Sequence, residues 1–385
     1  MAADAIIPLQ RMPMKILTTH VGSLPGPDAF NAVSVDDEAI LRHAVDWVVS
    51  RQRDIGIDII NEGELTKGGD WLSFMDTRLG GFEERPMASA GSVLTRGQDR
   101  EAFAEFYRYA GERQTLFFAP DARIKAVRRF TAATAPVTYT GQTALQRELD
   151  VFRAAVSDPA SCFVTSTAPS SLEPYRANEY YRTQEEFVFA LAEALRVEYE
   201  AIVNAGFLLQ VDDAWMAALW DRIGVAMGLD AFKQYCLLRV DALNHALRQI
   251  PEERVRYHFC WGSWHGPHAF DLPMADLVDV MLRVRARFYS FEAANARHAH
   301  EYHVWERVRL PAGKVIMPGV ITHSTDLIEH PELVADRIRL FADRVGPEHV
   351  IASADCGFGG RTHPQIAWAK LRALVEGAAL AGASF

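Results

Sequence analysis

Apolar positions alternate between two rhythms along the chain. Short runs rich in Val, Ile, Leu and Phe cover residues 15–25, 56–64, 162–167, 207–213, 255–257, 288–292, 314–321 and 349–360, and they read as strands. Between them lie stretches with apolar residues at helical spacing. Ile40, Leu41, Ala44, Val45, Val48 and Val49 predict a helix over 36–52, with Ser34 or Asp36 as its cap. Further helices are predicted at 183–205, 274–287, 331–345 and 364–381. Thr183 and Glu186 have capping-box spacing, and Pro331 stands in a first helical turn. A strand-helix rhythm of this kind implies a parallel sheet.

Residues 65 to about 135 break the rhythm with glycine pairs, scattered aromatics and charge. A ninth strand-like run at 136–140 is assigned to the same insertion. Eight strands then remain for a single (β/α)8 TIM barrel over residues 15–385, with a long insertion (about 65–150) after the second strand and an extension over 1–14. A doubly wound open sheet would want a G-x-G-x-x-G turn after its first strand, and Gly22-Ser23-Leu24-Pro25-Gly26 does not supply one. No P-loop pattern occurs either.

Composition narrows the partners. A formal net charge of −10 over 385 residues argues against nucleic acid and does not favour an anionic membrane. No apolar run approaches the roughly 20 residues that span a bilayer. Residues 1–14 lack the order of a secretory signal. Four cysteines make no disulfide framework, so a reducing cytoplasm is expected. The oligomeric state is left open, a homo-oligomer included.

Polar residues recur at strand ends: His20, Glu64, Asp212, His258, Cys260, Glu292, His323 and Cys356. In a barrel these converge on one mouth, where such folds keep their chemistry. His258 and Cys260 are two apart, hence on one face of a strand. With Cys356 and one carboxylate they would complete a tetrahedral zinc site. Glu64, Asp212, Glu292 and Asp355 are the candidate carboxylates. Asp355 adjoins Cys356 and should face the other way, so Glu292 is preferred. Cys162 and Cys236 are expected in the core or in a helix. His298-Ala299-His300-Glu301-Tyr302-His303 is a rival cluster, but its spacing is not H-E-x-x-H, and a solvated or substrate-facing segment is the plainer reading.

Over residues 15–380 the chain resembles the catalytic C-terminal half of cobalamin-independent methionine synthase, and more closely the short stand-alone members of that superfamily, which include epoxyalkane:coenzyme M transferase. Thr19-His20-Val21-Gly22-Ser23 is similar to the family's first-strand T-x-x-G-S turn, Gly63-Glu64 to its G-E, and Asp212-Asp213 to its D-E, with Asp213 in place of the Glu. His258-Phe259-Cys260, Glu292 and Asp355-Cys356-Gly357 match its H-x-C, E and D-C-G ligands. Pro318-Gly319-Val320 and His323 resemble its P-G-V…H, with one residue fewer between. The resemblance implies zinc on His258, Cys260, Glu292 and Cys356. It implies that His20, Gly22, Ser23, Glu64 and Asp212 hold the thiol substrate, and that His323 gives a proton to the leaving group. The tryptophan that stacks on folate in the full-length enzyme has no match in Ala168-Pro169-Ser170-Ser171-Leu172.

The expected activity is zinc-dependent S-alkylation of a small-molecule thiol by an electrophilic methyl or alkyl donor, most simply methyl transfer to homocysteine. Thiolate and imidazole ligands leave a bound thiol anionic and nucleophilic rather than generating hydroxide. Glu64 and Asp212 suit a thiol that carries an amine. Addition of a sulfonate thiol such as coenzyme M to an epoxide is the alternative, with Lys67 and Arg361 available for the sulfonate. A decarboxylase-like lyase on a related barrel has no use for the zinc set. A non-catalytic protein with structural zinc predicts four closed protein ligands.

Overall fold

The computed structural model describes residues 14–30, 35–68, 71–86, 96–117 and 129–385. The proposed extension, residues 1–14, lies outside them except for Met14. Among the described residues ten strands occur in chain order: β1 (Leu17–Thr18), β2 (Leu79–Arg85), β3 (Phe130–Tyr139), β4 (Phe163–Thr167), β5 (Arg176–Asn178), β6 (Leu208–Asp213), β7 (Val255–Phe259), β8 (Phe288–Phe291), β9 (Val315–Ile321) and β10 (Ile351–Ala354).

Seven of them form a parallel sheet in the order β1-β10-β9-β8-β7-β6-β4. The eighth place belongs to residues 57–61. Their Ile60 bridges Cys162 in parallel, next to β4, and the amides of Asp58 and Ile59 donate to the Thr18 carbonyl of β1. The sheet thereby closes into the expected (β/α)8 barrel, and no backbone edge is left unpaired at that seam.

The remaining strands make a separate sheet, β2-β3-β5, antiparallel between β2 and β3 and parallel between β3 and β5. The run at 136–140 is the end of β3, so it is a strand but not a barrel strand. Helices Gln98–Ala102 and Ala104–Glu112 lie in the stretch where the sequence suggested no regular structure.

Helix ends follow the local sequence. Asp37, not Ser34 or Asp36, caps helix Glu38–Ile55 by accepting from the amides of Ala39 and Ile40, and Gly56 ends it at φ 96°. Thr183 Oγ1 accepts from the Glu186 amide, and the Glu186 carboxylate reaches back to the Arg182 amide. The helix predicted over 274–287 stops at Met281.

Between barrel and small sheet lies a buried ion cluster. Arg78 pairs with Glu148 (2.6 Å) and Glu198 (2.9 Å), Lys67 pairs with Glu148 (2.7 Å), and the Tyr139 hydroxyl donates to Glu198 (2.5 Å). All of these side chains are nearly inaccessible to water, so each charge depends on its partner.

Candidate metal centre and substrate cavity

Parallel register sets the geometry at the barrel mouth. Thr167, Asp212, His258 and Ser290 are successive partners across β4, β6, β7 and β8, so Asp212 and His258 share one layer. Cys260 follows one residue after β7, on the face of His258, and Cys356 follows β10. Ligand atoms of His258, Cys260 and Cys356 all lie within 4.8 Å of one another. Among the described residues this is the one such grouping of His, Cys, Asp or Glu.

Two observations fit this trio to a thiophilic metal. His258 Nδ1 is bonded to Ser290 Oγ (3.1 Å), while its Nε2 is buried without a hydrogen-bond partner. An imidazole with one nitrogen tied to a side chain and the other bare is the arrangement of a metal ligand. The two thiols also interact. The Cys260 thiol donates to Cys356, which pulls Cys356 well below the usual thiol value and pushes Cys260 well above it. One thiolate is thus already favoured in a buried place, where a cation would stabilise both.

Glu292 stands back from the trio. Its Oε1 accepts from the Trp261 amide (3.0 Å) and its Oε2 from the Asn295 side-chain amide (2.7 Å). Burial, with Asp355 and Cys356 nearby, pushes its carboxyl up to about 7 despite His298. Glu292, the expected fourth ligand, thus lies close enough to Cys260 and Cys356 to act on their charge. Its Oε1 is bonded to the loop that carries Cys260, and its Oε2 to the turn that follows β8. Asp355 faces away, as alternation requires. Its carboxylate accepts from the amides of Ala293, Ala294 and Asn295 (2.7–2.8 Å) and fixes the turn that follows Glu292.

A cavity beside the trio is lined by Ser23, Glu64, Trp71, Asp212, Ser263 and Arg361, among others. Glu64 sits in a left-handed backbone conformation, φ 58°, unusual for a residue with a side chain. Its Oε1 accepts from Thr165 Oγ1 (3.0 Å). A Cβ on Gly22, whose φ is 149°, would come within 2.4 Å of that oxygen, so glycine there makes room for the carboxylate. Asp212 accepts from Gln210 (2.8 Å), whose amide oxygen is bonded by Arg256 (3.1 Å). Burial raises both carboxyls, Glu64 well above its usual range, with Asp212 adding to the effect, and Asp212 to about 8. A cation brought between two buried acids raised in this way would return them to the ionised form.

His20 is not part of the cavity wall. Its Nε2 faces Gln52 (2.7 Å) on the first helix and its Nδ1 accepts from the Gly22 amide (3.2 Å), so both nitrogens are engaged. Burial lowers it to about 3. His20, expected at the thiol substrate, shapes the turn that brings Gly22 and Ser23 to the mouth. His323 is buried behind Ser263. Its Nε2–H donates to the Ser263 carbonyl (3.3 Å), while Nδ1 is a buried atom with no partner. Burial, opposed by Cys356 and reinforced by Arg361, lowers it to about 3, so the ring is neutral.

The sequence reading named Arg361 only as a partner for a sulfonate, and the structure sets it beside Cys356. Its guanidinium donates to the Ser263 carbonyl (3.0 Å) and lies 3.5 Å from Cys356 Sγ. Five residues beyond Cys356 along a loop, it carried no periodic signal. The rival cluster at 298–303 is structural: His298 bonds Asp271 (3.1 Å) and Glu301 (3.2 Å) and stacks on Trp261 at 3.9 Å. Cys162 and Cys236 are buried, Cys162 beside β4 and Cys236 within helix Leu229–Ala246.

No profile of a known protein family matches the chain. Curated relatives cover nearly all of it. A methionine synthase of Sulfurisphaera tokodaii is 24% identical over 373 residues, which span 94% of this chain and 90% of that one. A methionine synthase of Sulfolobus acidocaldarius is 25% identical over 374 residues, with the same coverage. The fold is shared with a B12-independent methionine synthase from Shewanella sp. W3-18-1, solved with selenomethionine (TM-score 0.68, 18% identity, 95% of this chain and 97% of that one). It is shared too with a putative B12-independent methionine synthase from Listeria monocytogenes (TM-score 0.62, 18% identity, 96% and 98%). End-to-end relatives of one name and a common barrel make this chain similar to the cobalamin-independent methionine synthases.

Proposed function

We propose that the chain is a zinc-dependent methyltransferase that alkylates the sulfur of homocysteine or a closely similar thiol. One observation carries the reading: a bare imidazole nitrogen and two thiols converge beside a cavity walled by two carboxyl groups with raised pKa. His258, Cys260 and Cys356 would hold the metal, with Glu292 behind them. A bound zinc ion lowers the pKa of an incoming thiol and keeps its sulfur nucleophilic. Glu64 and Asp212 bind the ammonium group of the thiol and set its sulfur toward the trio. His323, with its Nδ1 buried and unpartnered, passes a proton to the leaving group. Gly22 and Ser23 bring backbone close to the substrate, and His20 holds their turn.

A second reading rests on Arg361. It lines the cavity, and among the described residues it has no carboxylate partner. A sulfonate thiol could pair with it, and the reaction would then be thiol addition to an epoxide. A purely structural zinc is the poorer account, because His258, Cys260 and Cys356 themselves line the cavity.

Product mass spectrometry decides between these. The zinc-loaded protein is incubated with homocysteine or coenzyme M and a panel of methyl donors and epoxides. Methionine formation supports the proposal. A coenzyme M thioether without methionine transfers the function to the epoxide reading, and no product with either thiol refutes both.

A further inference from the structure

Thr165 lies at the centre of β4, buried, between a cation and an acid. Lys67 Nζ is 3.0 Å from Thr165 Oγ1, and Thr165 Oγ1 is 3.0 Å from Glu64 Oε1. An ammonium group has donors and no acceptor, so it can only give a proton to the hydroxyl oxygen. The single Thr165 proton is thereby left for Glu64 and has one direction. Lys67 is fixed in turn by Glu148 at 2.7 Å and Glu62 at 3.7 Å. The Thr165 methyl group lies where a Cβ on Gly22 would come within 3.2 Å, so the same side chain packs against the glycine turn.

We propose that Thr165 and Lys67 are positioning residues for amine recognition: they commit one oxygen of Glu64 to the protein and leave the other to the ammonium group of the thiol substrate. The inference rests on the proposed thiol alkylation and deepens it. The device does three things for recognition. It holds a carboxylate in a strained backbone conformation, φ 58°. It supplies one hydrogen bond to the ionised form, which offsets part of the burial cost. It also leaves the free oxygen unable to turn toward the protein, so a substrate lacking the amine gains nothing from it. The device therefore selects an amino thiol over a thiol of the same length without the amine.

The test compares homocysteine with 4-mercaptobutanoate, which lacks only the amine. Binding to the zinc-loaded full chain is measured by calorimetry, and kcat and KM by methionine formation. Wild type should prefer homocysteine. Thr165→Val keeps the shape and removes the hydroxyl. It should reduce that preference about tenfold or more, the usual weight of a hydrogen bond to a charged group. The loss should appear in KM for homocysteine, with kcat and the affinity for 4-mercaptobutanoate nearly unchanged. Thr165→Ser should restore the preference. Lys67→Met strips a buried pair and can fail to fold, so the Thr165 pair decides the matter. If Thr165→Val keeps the preference, or weakens both thiols alike, the relay is refuted while the alkylation reading stands. If wild type binds neither thiol, or binds both equally, the amine-recognition reading falls and takes the relay with it.

Discussion

A side chain at a strand end has two choices, to face the barrel mouth or to bond its neighbours, and sequence alone reveals only the first. His258 and Cys260 were legible because a two-residue spacing on a strand puts both on one face. Cys356 was legible as a polar residue at the end of the last strand, and Asp355 could be set aside by the same alternation. The surroundings of His20 and Glu292 were not legible, for one reason. Each stands at a strand end, yet Gln52 and Gly22 engage both nitrogens of His20, and Trp261 and Asn295 engage both oxygens of Glu292. These partners come from other elements, and no periodicity announces them. The metal assignment makes a prediction at this scale. Cys260→Ser and Cys356→Ser should each lose most of the bound zinc, because a hydroxyl is a far weaker ligand than a thiolate. Cys162→Ser and Cys236→Ser should keep it, since the Cys162 thiol donates to the Asp158 carbonyl and Cys236 lies inside a helix. Metal analysis of the four purified proteins checks this, and full zinc retention in Cys356→Ser would overturn the site.

At the scale of elements, the barrel strands and their helices could be read because apolar rhythm and cap chemistry agree, as at Thr183 and Glu186. The stretch between residues 57–61 and β4 could not, because its elements are held by contacts distant in sequence. Residues 96–117 show this. Tyr107 donates to Asp99 (2.6 Å) and accepts from Trp264 Nε1 (3.0 Å), while Asp99 also accepts from the Ala269 amide (2.9 Å). Leu116, Ala218 and Trp264 share one apolar cluster with Tyr107. This segment thus ties down the loop 261–273, which follows Cys260 and carries left-handed residues at Ser263 (φ 41°) and His268 (φ 52°). Tyr107→Phe removes the shared hydroxyl and strands two buried polar groups. It should destabilise the loop by about 1–3 kcal/mol, the cost of such unsatisfied groups. Hydrogen exchange should speed up at residues 261–266 and stay as in wild type at β6 and β9. Unchanged exchange in the loop would show that this bond does not hold it.

For the whole molecule, the consequence of the proposed metal lies in where its candidate ligands sit around the ring. His258 and Cys260 belong to the end of β7, Cys356 to the end of β10, and β8 and β9 lie between them. A bound ion therefore spans four consecutive strands at the mouth, the end of the barrel that carries long loops instead of continuous pairing. The seam at the other side of the ring is closed by the bridge of Ile60 with Cys162, by amides of residues 58 and 59 on Thr18, and by the Asp58 carboxylate on Thr18. Opening at the mouth separates the three ligands, so the metal binds the closed ring and not the opened chain. Linkage then gives a stabilisation of RT ln(1 + [Zn]/Kd), about 4 kcal/mol at a thousandfold excess over Kd. Chelation should lower the thermal midpoint of the wild-type protein, and restoring zinc should return it. Cys356→Ser should start at the lower midpoint and show no further drop with chelator, because the linkage has already been lost. Differential scanning calorimetry with and without chelator makes the comparison. A chelator-induced drop of equal size in wild type and in Cys356→Ser would mean that the stabilising ion sits elsewhere, and the clamp across β7 to β10 would be refuted.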